Sequence, residues 1–148
     1  MKVREAIKED ASAIVSFQLA MAAETEQLML DPEVVDKGVS AVFEDPKKGR
    51  YYVTELNGEV IASLMTTFEW SDWRNGTVMW IQSVYVLPQY RRRGVYRKMY
   101  SFLQNLVYES NDLKGIRLYV DKSNTRAQAT YWELGMNAEH YQTFEWMK

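Results

Sequence analysis

The sequence has no cysteine and one histidine, His140, which excludes thiol catalysis, disulfide crosslinks and thiolate metal sites. Any metal would have to be held mainly by carboxylates, and none is expected. No run approaches the ~20 uncharged apolar residues of a membrane span. Lys2 and Arg4 lead into Glu5 and Glu9 rather than into the apolar centre of a signal peptide. These absences predict a cytoplasmic protein with no membrane partner. A basic excess is also missing: 18 Lys and Arg face 20 Asp and Glu, for a net charge of -2, which argues against a generic nucleic-acid binder. What the chain does have is apolar mass. Its 148 residues are 47% hydrophobic and 14% aromatic, enough for one buried core and too short for two ordinary domains, so residues 1–148 are expected to form a single domain.

The charges are segregated. Residues 1–88 carry 8 basic and 14 acidic side chains, whereas 89–126 carry 9 and 3, a local balance of +6. Such a segment either faces something anionic or is simply a solvated face.

Lys2 to Ala6 reads as a short opening strand, and Glu9-Asp10-Ala11 as a helix start followed by Ile14, Phe17 and Met21 at helical spacing. Asp31-Pro32 is a second start, with Asp as N-cap and Pro in the first turn. Val35, Val39, Val42 and Phe43 give that helix one apolar stripe, and it should end before Asp45-Pro46. From Tyr51 the period changes to two. Tyr51 to Leu56, the pair Asn57-Gly58 and Val60 to Phe68 predict a hairpin with a type I′ turn. Asn75-Gly76 is another tight turn, and Thr77 to Leu87 a long strand stopped by Pro88.

The segment after Pro88 carries most of the chemistry: Gln89-Tyr90-Arg91-Arg92-Arg93-Gly94-Val95-Tyr96-Arg97-Lys98, leading into a helix with Met99, Phe102, Leu103, Leu106 and Val107 on its apolar face. A strand thus runs through a basic, glycine-containing turn into a helix. The first amides of a helix have no intrahelical acceptor and, with the helix dipole, form an anion site suited to a phosphate or pyrophosphate. Gly94 would allow close backbone approach. A surface loop with a basic helix start would look similar. Further on come a strand at Ile116 to Val120, the turn Asp121-Lys122-Ser123-Asn124, a short helix, and a last aromatic strand near Tyr141 to Met147.

Val84-Tyr85-Val86-Leu87-Pro88, the Arg91-x-x-Gly94-x-Tyr96 turn and Asn124-x-x-Ala127-x-x-x-Tyr131-x-x-Leu134-Gly135-Met136, in this order, resemble the acetyl-CoA-dependent N-acetyltransferases of the GNAT superfamily. The likeness in element order covers almost the whole chain. It implies an α/β fold with a mixed, bent central sheet of about six to seven strands flanked by about four helices. It also implies acetyl-CoA as acetyl donor and an amine acceptor that attacks directly in a ternary complex. On this resemblance the turn from Arg91 to Tyr96 cradles the pyrophosphate through backbone N–H groups, including those of Gly94 and Val95, while Arg91, Arg92, Arg93, Arg97 and Lys98 serve the phosphates. Val84, Tyr85 and Val86 form the strand edge for the pantetheine amides. Asn124 would touch the cofactor arm, and Tyr131 would reprotonate the departing thiolate. A tyrosine on an amphipathic helix is otherwise commonly a packing residue with its hydroxyl at the rim.

Two positions depart from the family pattern. Tyr96 stands where Gly or Ala is usual, which requires extra room. Gln82 stands where many members place a carboxylate base, and an amide accepts no proton. Deprotonation through water to Glu69, or to Asp72 beyond it, would answer this, with Gln82 orienting the water; the same carboxylates also read as a solvated hairpin loop. By the same resemblance, acceptor specificity would reside in residues 21–30 and the loop from Trp70 to Asn75. Glu24, Glu26, Glu69 and Asp72 would form an acidic mouth for a cationic amine, with Trp70 and Trp73 stacking on it. The tryptophans equally suit a homodimer interface. His140 reads as structural. Two other classes stay open: a nucleic-acid module using Arg91 to Lys98, disfavoured by the acidic remainder, and a catalytically weak acyl-CoA sensor or scaffold of the same fold, which the amide at Gln82 allows.

Overall fold

The computed structural model describes all 148 residues. The chain divides into two compact units, Met1–Arg117 and Leu118–Lys148. Strands β1 (Lys2–Glu5), β2 (Arg50–Leu56), β3 (Glu59–Ser71), β4 (Gly76–Val86) and β5 (Leu113–Leu118) form one sheet in sequence order. The first four pair antiparallel. Strand β5 joins the outer edge of β4 at its start, where the Thr77 N–H donates to the Asp112 carbonyl at 3.0 Å. The two strands therefore leave the same end of a mixed sheet.

Local chemistry sets the boundaries. Helix α1 spans Ala11–Glu26, and α2 spans Pro32–Glu44. Asp31 caps α2 by accepting the Glu33 N–H at 2.9 Å, and Pro32 occupies its first turn. The β2–β3 turn has Asn57 at φ 52° and Gly58 at φ 83°, both positive as a type I′ hairpin demands. Asn75 instead closes a short 3-10 turn over Asp72–Arg74, so β3 and β4 are joined by more than a two-residue turn.

Alternation along β2 sends successive tyrosines to opposite faces. Tyr51 stacks on Phe43 of α2 at 5.7 Å between centroids. Tyr52 meets Phe102 of α3 (Val95–Glu109) at 5.8 Å. The α1–α2 face holds a core of Ile14, Val39, Tyr51 and Val53. On the other face α3 buries Val95, Met99 and Leu103, one turn apart each, and a fully buried side chain of this kind contributes about 1.5–3 kcal/mol. Near the start of the chain Arg4 holds Asp10 through two bonds of 2.7 and 3.1 Å, the Ile7 N–H adds a third at 2.8 Å, and Arg4 Nε reaches Glu55 at 3.1 Å. This cluster ties β1 and β2 to the start of α1.

In the unit Leu118–Lys148, α4 (Thr125–Glu133) is capped by Asn124, whose side chain accepts the Ala127 N–H at 3.1 Å. It ends in a Schellman motif around Gly135 at φ 85°: Gly135 N–H bonds Trp132 C=O and Met136 N–H bonds Tyr131 C=O, both at 3.0 Å. The sheet has five strands rather than six or seven, because the aromatic segment Tyr141 to Met147 is not a strand. Within this unit α4 is the only complete regular element, so the segment has no strand of its own unit to pair with. Strand β5 also lies earlier than Ile116 to Val120, since its bond to the start of β4 sets where it begins.

Candidate active site

The β3–β4 register slips between Ser63 and Met65: Ser63 faces Tyr85, whereas Met65 faces Gln82. Two residues of β4, Ser83 and Val84, thus oppose the single Leu64. This is a β-bulge, and Ser83 takes a left-handed φ of 55° to make it. The bulge bends β4 just beyond Gln82 and turns its backbone groups out of the ladder. Beyond it, β4 also outruns its neighbour: β5 starts beside Thr77 and has 6 residues against 11 in β4, so the edge around Val84–Val86 extends past the end of β5. A strand edge with no strand beside it pairs with amides. One of its acceptors is taken, because Arg91 Nε donates to the Val86 carbonyl at 2.8 Å.

After Pro88–Tyr90, a 3-10 turn, the chain passes through Arg92 at φ 63° and Gly94 at φ 75° into α3. No side chain caps this helix and no acidic residue sits in its first turn. A Cβ added at Gly94 would meet nothing within 4 Å, so the space before the helix start is open. Uncapped amides, a helix dipole and open space fit a phosphate group. The basic side chains are not equivalent. Arg93 lies over the Tyr90 ring at 5.9 Å, and Tyr90 in turn donates to Glu59 at 3.0 Å. Lys98 Nζ donates to the Met1 carbonyl at 2.6 Å. The Tyr96 ring packs toward Tyr100, 6.3 Å between centroids, so its bulk is directed inward along α3.

Arg91 is committed elsewhere. Its guanidinium bonds Glu24 at 2.7 Å and lies 5.3 Å from the centre of the Tyr85 ring. Tyr85 donates its hydroxyl to the other oxygen of Glu24 at 2.8 Å. The Arg91 bond, opposed by desolvation and assisted by Tyr85, holds the Glu24 carboxyl below the usual range. Burial and the bond to Glu24 push the Tyr85 phenol up.

Gln82, Trp80 and Glu69 share the α1–α2 face, since Met65 pairs with Gln82, Thr67 with Trp80 and Glu69 with Val78. Glu69 lies four residues along β3 from Met65, a backbone separation of about 13 Å at strand rise, with Trp80 between it and Gln82 along the face. Trp80 Nε1 donates to one Glu69 oxygen at 3.2 Å, and Arg117 of β5 donates to the other. Trp70 is adjacent to Glu69 on β3 and therefore points to the opposite face, where it is exposed together with Phe68. Asp72 accepts the Trp73 N–H at 2.9 Å within its own turn, and Glu26 is exposed at the end of α1. The four carboxylates expected to form one acidic mouth are thus divided, with Glu24 and Glu69 each already carrying an arginine. Ser83, Trp80 and Arg117 were not singled out in the sequence. Arg117, a lone cation between Ile116 and Leu118, was the one visible sign of an internal ion pair.

Residues 17–136 match the family model of the GNAT acetyltransferases. A solved structure of a possible acetyltransferase from Clostridium difficile 630 is 41% identical, with TM-score 0.92 over 99% of this chain and 97% of that one. A predicted acetyltransferase with acetyl-CoA from Clostridium acetobutylicum is 19% identical, with TM-score 0.75 over 97% and 95%. A ribosomal-protein-alanine N-acetyltransferase from Brucella melitensis biovar Abortus 2308 is 12% identical, with TM-score 0.79 over 99% of each chain. At these two lower identities the likeness is one of fold. No curated protein matches the sequence. No helix is long and apolar enough to cross a membrane. With the family motif turn, the bulged β4 and a family match over most of its length, the chain belongs to the GNAT family of acetyltransferases and is an acyltransferase.

Proposed function

We propose that this protein transfers the acetyl group of acetyl-CoA to a primary amine of a small molecule or peptide, by direct attack in a ternary complex. The observation that carries the reading is the open, uncapped start of α3 behind left-handed Gly94, next to a bulged β4 edge that runs past β5. Bound there, acetyl-CoA would supply an activated thioester acyl group and a thiolate leaving group. The amides of the turn from Arg91 to Tyr96 would hold the phosphates, with Arg92, Arg93 and Arg97 adding attraction. The Val84–Val86 edge would align the pantetheine arm. Asn124, whose side-chain oxygen caps α4, is the proposed polar contact to the cofactor arm. Tyr131, on α4, is the proposed proton donor to the leaving thiolate.

With Gln82 in place of a carboxylate, the amine would lose its proton to water that Gln82 orients, with Glu69 or Asp72 at the far end of a water chain. General acid–base assistance contributes typically 10²–10⁴-fold, about 3–5 kcal/mol, whereas positioning two reactants supplies about 7–11 kcal/mol. Positioning can therefore carry the transfer. The same reading puts the protein in the cytoplasm, with no nucleic acid as partner. A second reading, an acyl-CoA sensor of weak activity, is favoured by one observation: the amide at Gln82 lies apart from Glu69, which already holds Arg117.

The test is thermal denaturation with CoA and acetyl-CoA, together with thiol release across a panel of primary amines. Stabilisation with amine-dependent thiol release supports the transferase. Stabilisation without release by any amine supports the sensor, and no stabilisation at saturating cofactor overturns both.

A further inference from the structure

Glu24, near the end of α1, bonds Arg91 and Tyr85 with its two separate oxygens. Arg91 simultaneously grips the last carbonyl of β4, and the Tyr85 ring lies 5.3 Å from Phe17 of α1. Two segments far apart in sequence meet on one guanidinium: the end of α1, and the end of β4 with the basic turn that follows it. Immediately after Glu24, α1 ends at Gln27 in a left-handed conformation, and Leu28, Met29 and Leu30 follow as an exposed apolar connection to α2. With Glu24, Val86 and Tyr85 around it, the Arg91 guanidinium has two of its nitrogens already bonded inside the protein.

We propose that Arg91 is a positioning residue rather than a phosphate ligand: with Glu24 and Tyr85 it forms a latch that ties the α1–α2 connection to the turn, so that filling the turn orders residues 24–31. This rests on the reading that the turn binds the phosphates of CoA. It assigns Arg91 a different task from Arg92 and Arg93. It also makes the donor site a control on the segment that borders the α1–α2 face. The pair is about 40% exposed on both sides, so its removal leaves the fold standing.

The charges of Glu24 and Arg91 cancel, which separates the two roles. In Glu24→Gln/Arg91→Gln the net charge near the turn is unchanged. CoA affinity should fall about threefold, the scale of an exposed ion pair, while its dependence on salt stays that of the wild type. Arg92→Gln/Arg93→Gln should flatten that dependence. Hydrogen exchange read with and without CoA should show CoA-dependent protection of residues 24–31 in the wild type and its loss in Glu24→Gln/Arg91→Gln. A flattened salt dependence in the Glu24/Arg91 variant would make Arg91 a phosphate ligand and overturn the latch, as would protection of 24–31 that survives in it or is absent from the wild type. Failure of the wild type to bind CoA at any salt would overturn the phosphate site itself, a result distinct from all of these.

Discussion

Replacing Gly94 tests the phosphate site with the fewest side effects, because the two costs of a side chain there can be calculated separately. The first is conformational. Gly94 has φ 75°, and a β-branched residue held in the left-handed region costs about 1–2 kcal/mol. For a chain of this size each kcal/mol lowers Tm by roughly 2–4 °C, so Gly94→Val should melt about 2–8 °C lower. The Cβ itself adds no clash, since it meets nothing within 4 Å. The second cost falls on the ligand, because that open space is where a phosphate would approach the backbone. Losing one charge-assisted N–H bond costs about 1.5–3 kcal/mol, a 10- to 100-fold loss of CoA affinity. Gly94→Asn separates the two, since Asn tolerates the left-handed region but still fills the space. It should keep most of the Tm and lose CoA affinity. Calorimetry with CoA and a melting curve measure both. If Gly94→Val melts lower as calculated while Gly94→Val and Gly94→Asn both bind CoA like the wild type, the phosphates do not lie against this turn.

Three further outcomes follow from individual contacts. Burial alone would raise the Asp10 carboxyl, but Arg4 and the Ile7 N–H outweigh it and hold it below its ordinary 3.8; its stabilisation is therefore complete above about pH 4 and lost as pH falls through the lowered value, and Asp10→Asn should remove about 2 kcal/mol at pH 7 and flatten the acid limb of a denaturation-versus-pH curve. An Asp10→Asn protein with wild-type acid sensitivity would refute this. Tyr131→Phe keeps the ring, so turnover should drop roughly 10- to 10³-fold with CoA affinity held, and unchanged turnover would make Tyr131 a packing residue. Gln82→Glu should hold or raise activity near neutrality by supplying a direct base, whereas Glu69→Gln should lower it and move the pH–rate profile upward; a Glu69→Gln profile that overlays the wild type would take Glu69 out of the proton path.

The parts of the fold that were legible in sequence are those decided by near neighbours. Asp31-Pro32 and Asn57-Gly58 each specify a backbone conformation within a few residues, and each forms the expected cap or turn. The helix start behind Gly94 was legible for the same reason. What was not legible depends on partners distant in the chain. Tyr141 to Met147 has the composition of a strand, but composition cannot show whether an edge will be beside it. The bulge at Ser83 arises from a register slip against β3, and nothing in Gln82-Ser83-Val84 marks a left-handed serine. Glu24 and Arg91 are 67 residues apart and Glu69 and Arg117 are 48 apart, so neither pairing was readable from near neighbours.

Those two ion pairs change what the charge segregation means. Residues 89–126 carry 9 basic against 3 acidic side chains, an excess of 6 that suggested arginines arrayed toward a phosphate. Within that set Arg91 goes to Glu24, Arg117 to Glu69 and Lys98 to the Met1 carbonyl. Two of these nine basic side chains thus answer carboxylates of residues 1–88, joining α1 to the turn and β3 to β5. Two arginines on fixed carboxylates contribute little field beyond a Debye length of about 8 Å. The attraction for an anion then falls to Arg92 and Arg93 together with the helix start, whose amides are fixed in direction and need no rotamer ordering to act. Backbone donors of this kind cannot be removed by substituting a single arginine. Among single-residue changes, the decisive perturbation of the site is therefore a side chain at Gly94 rather than the loss of one at Arg91, Arg92 or Arg93.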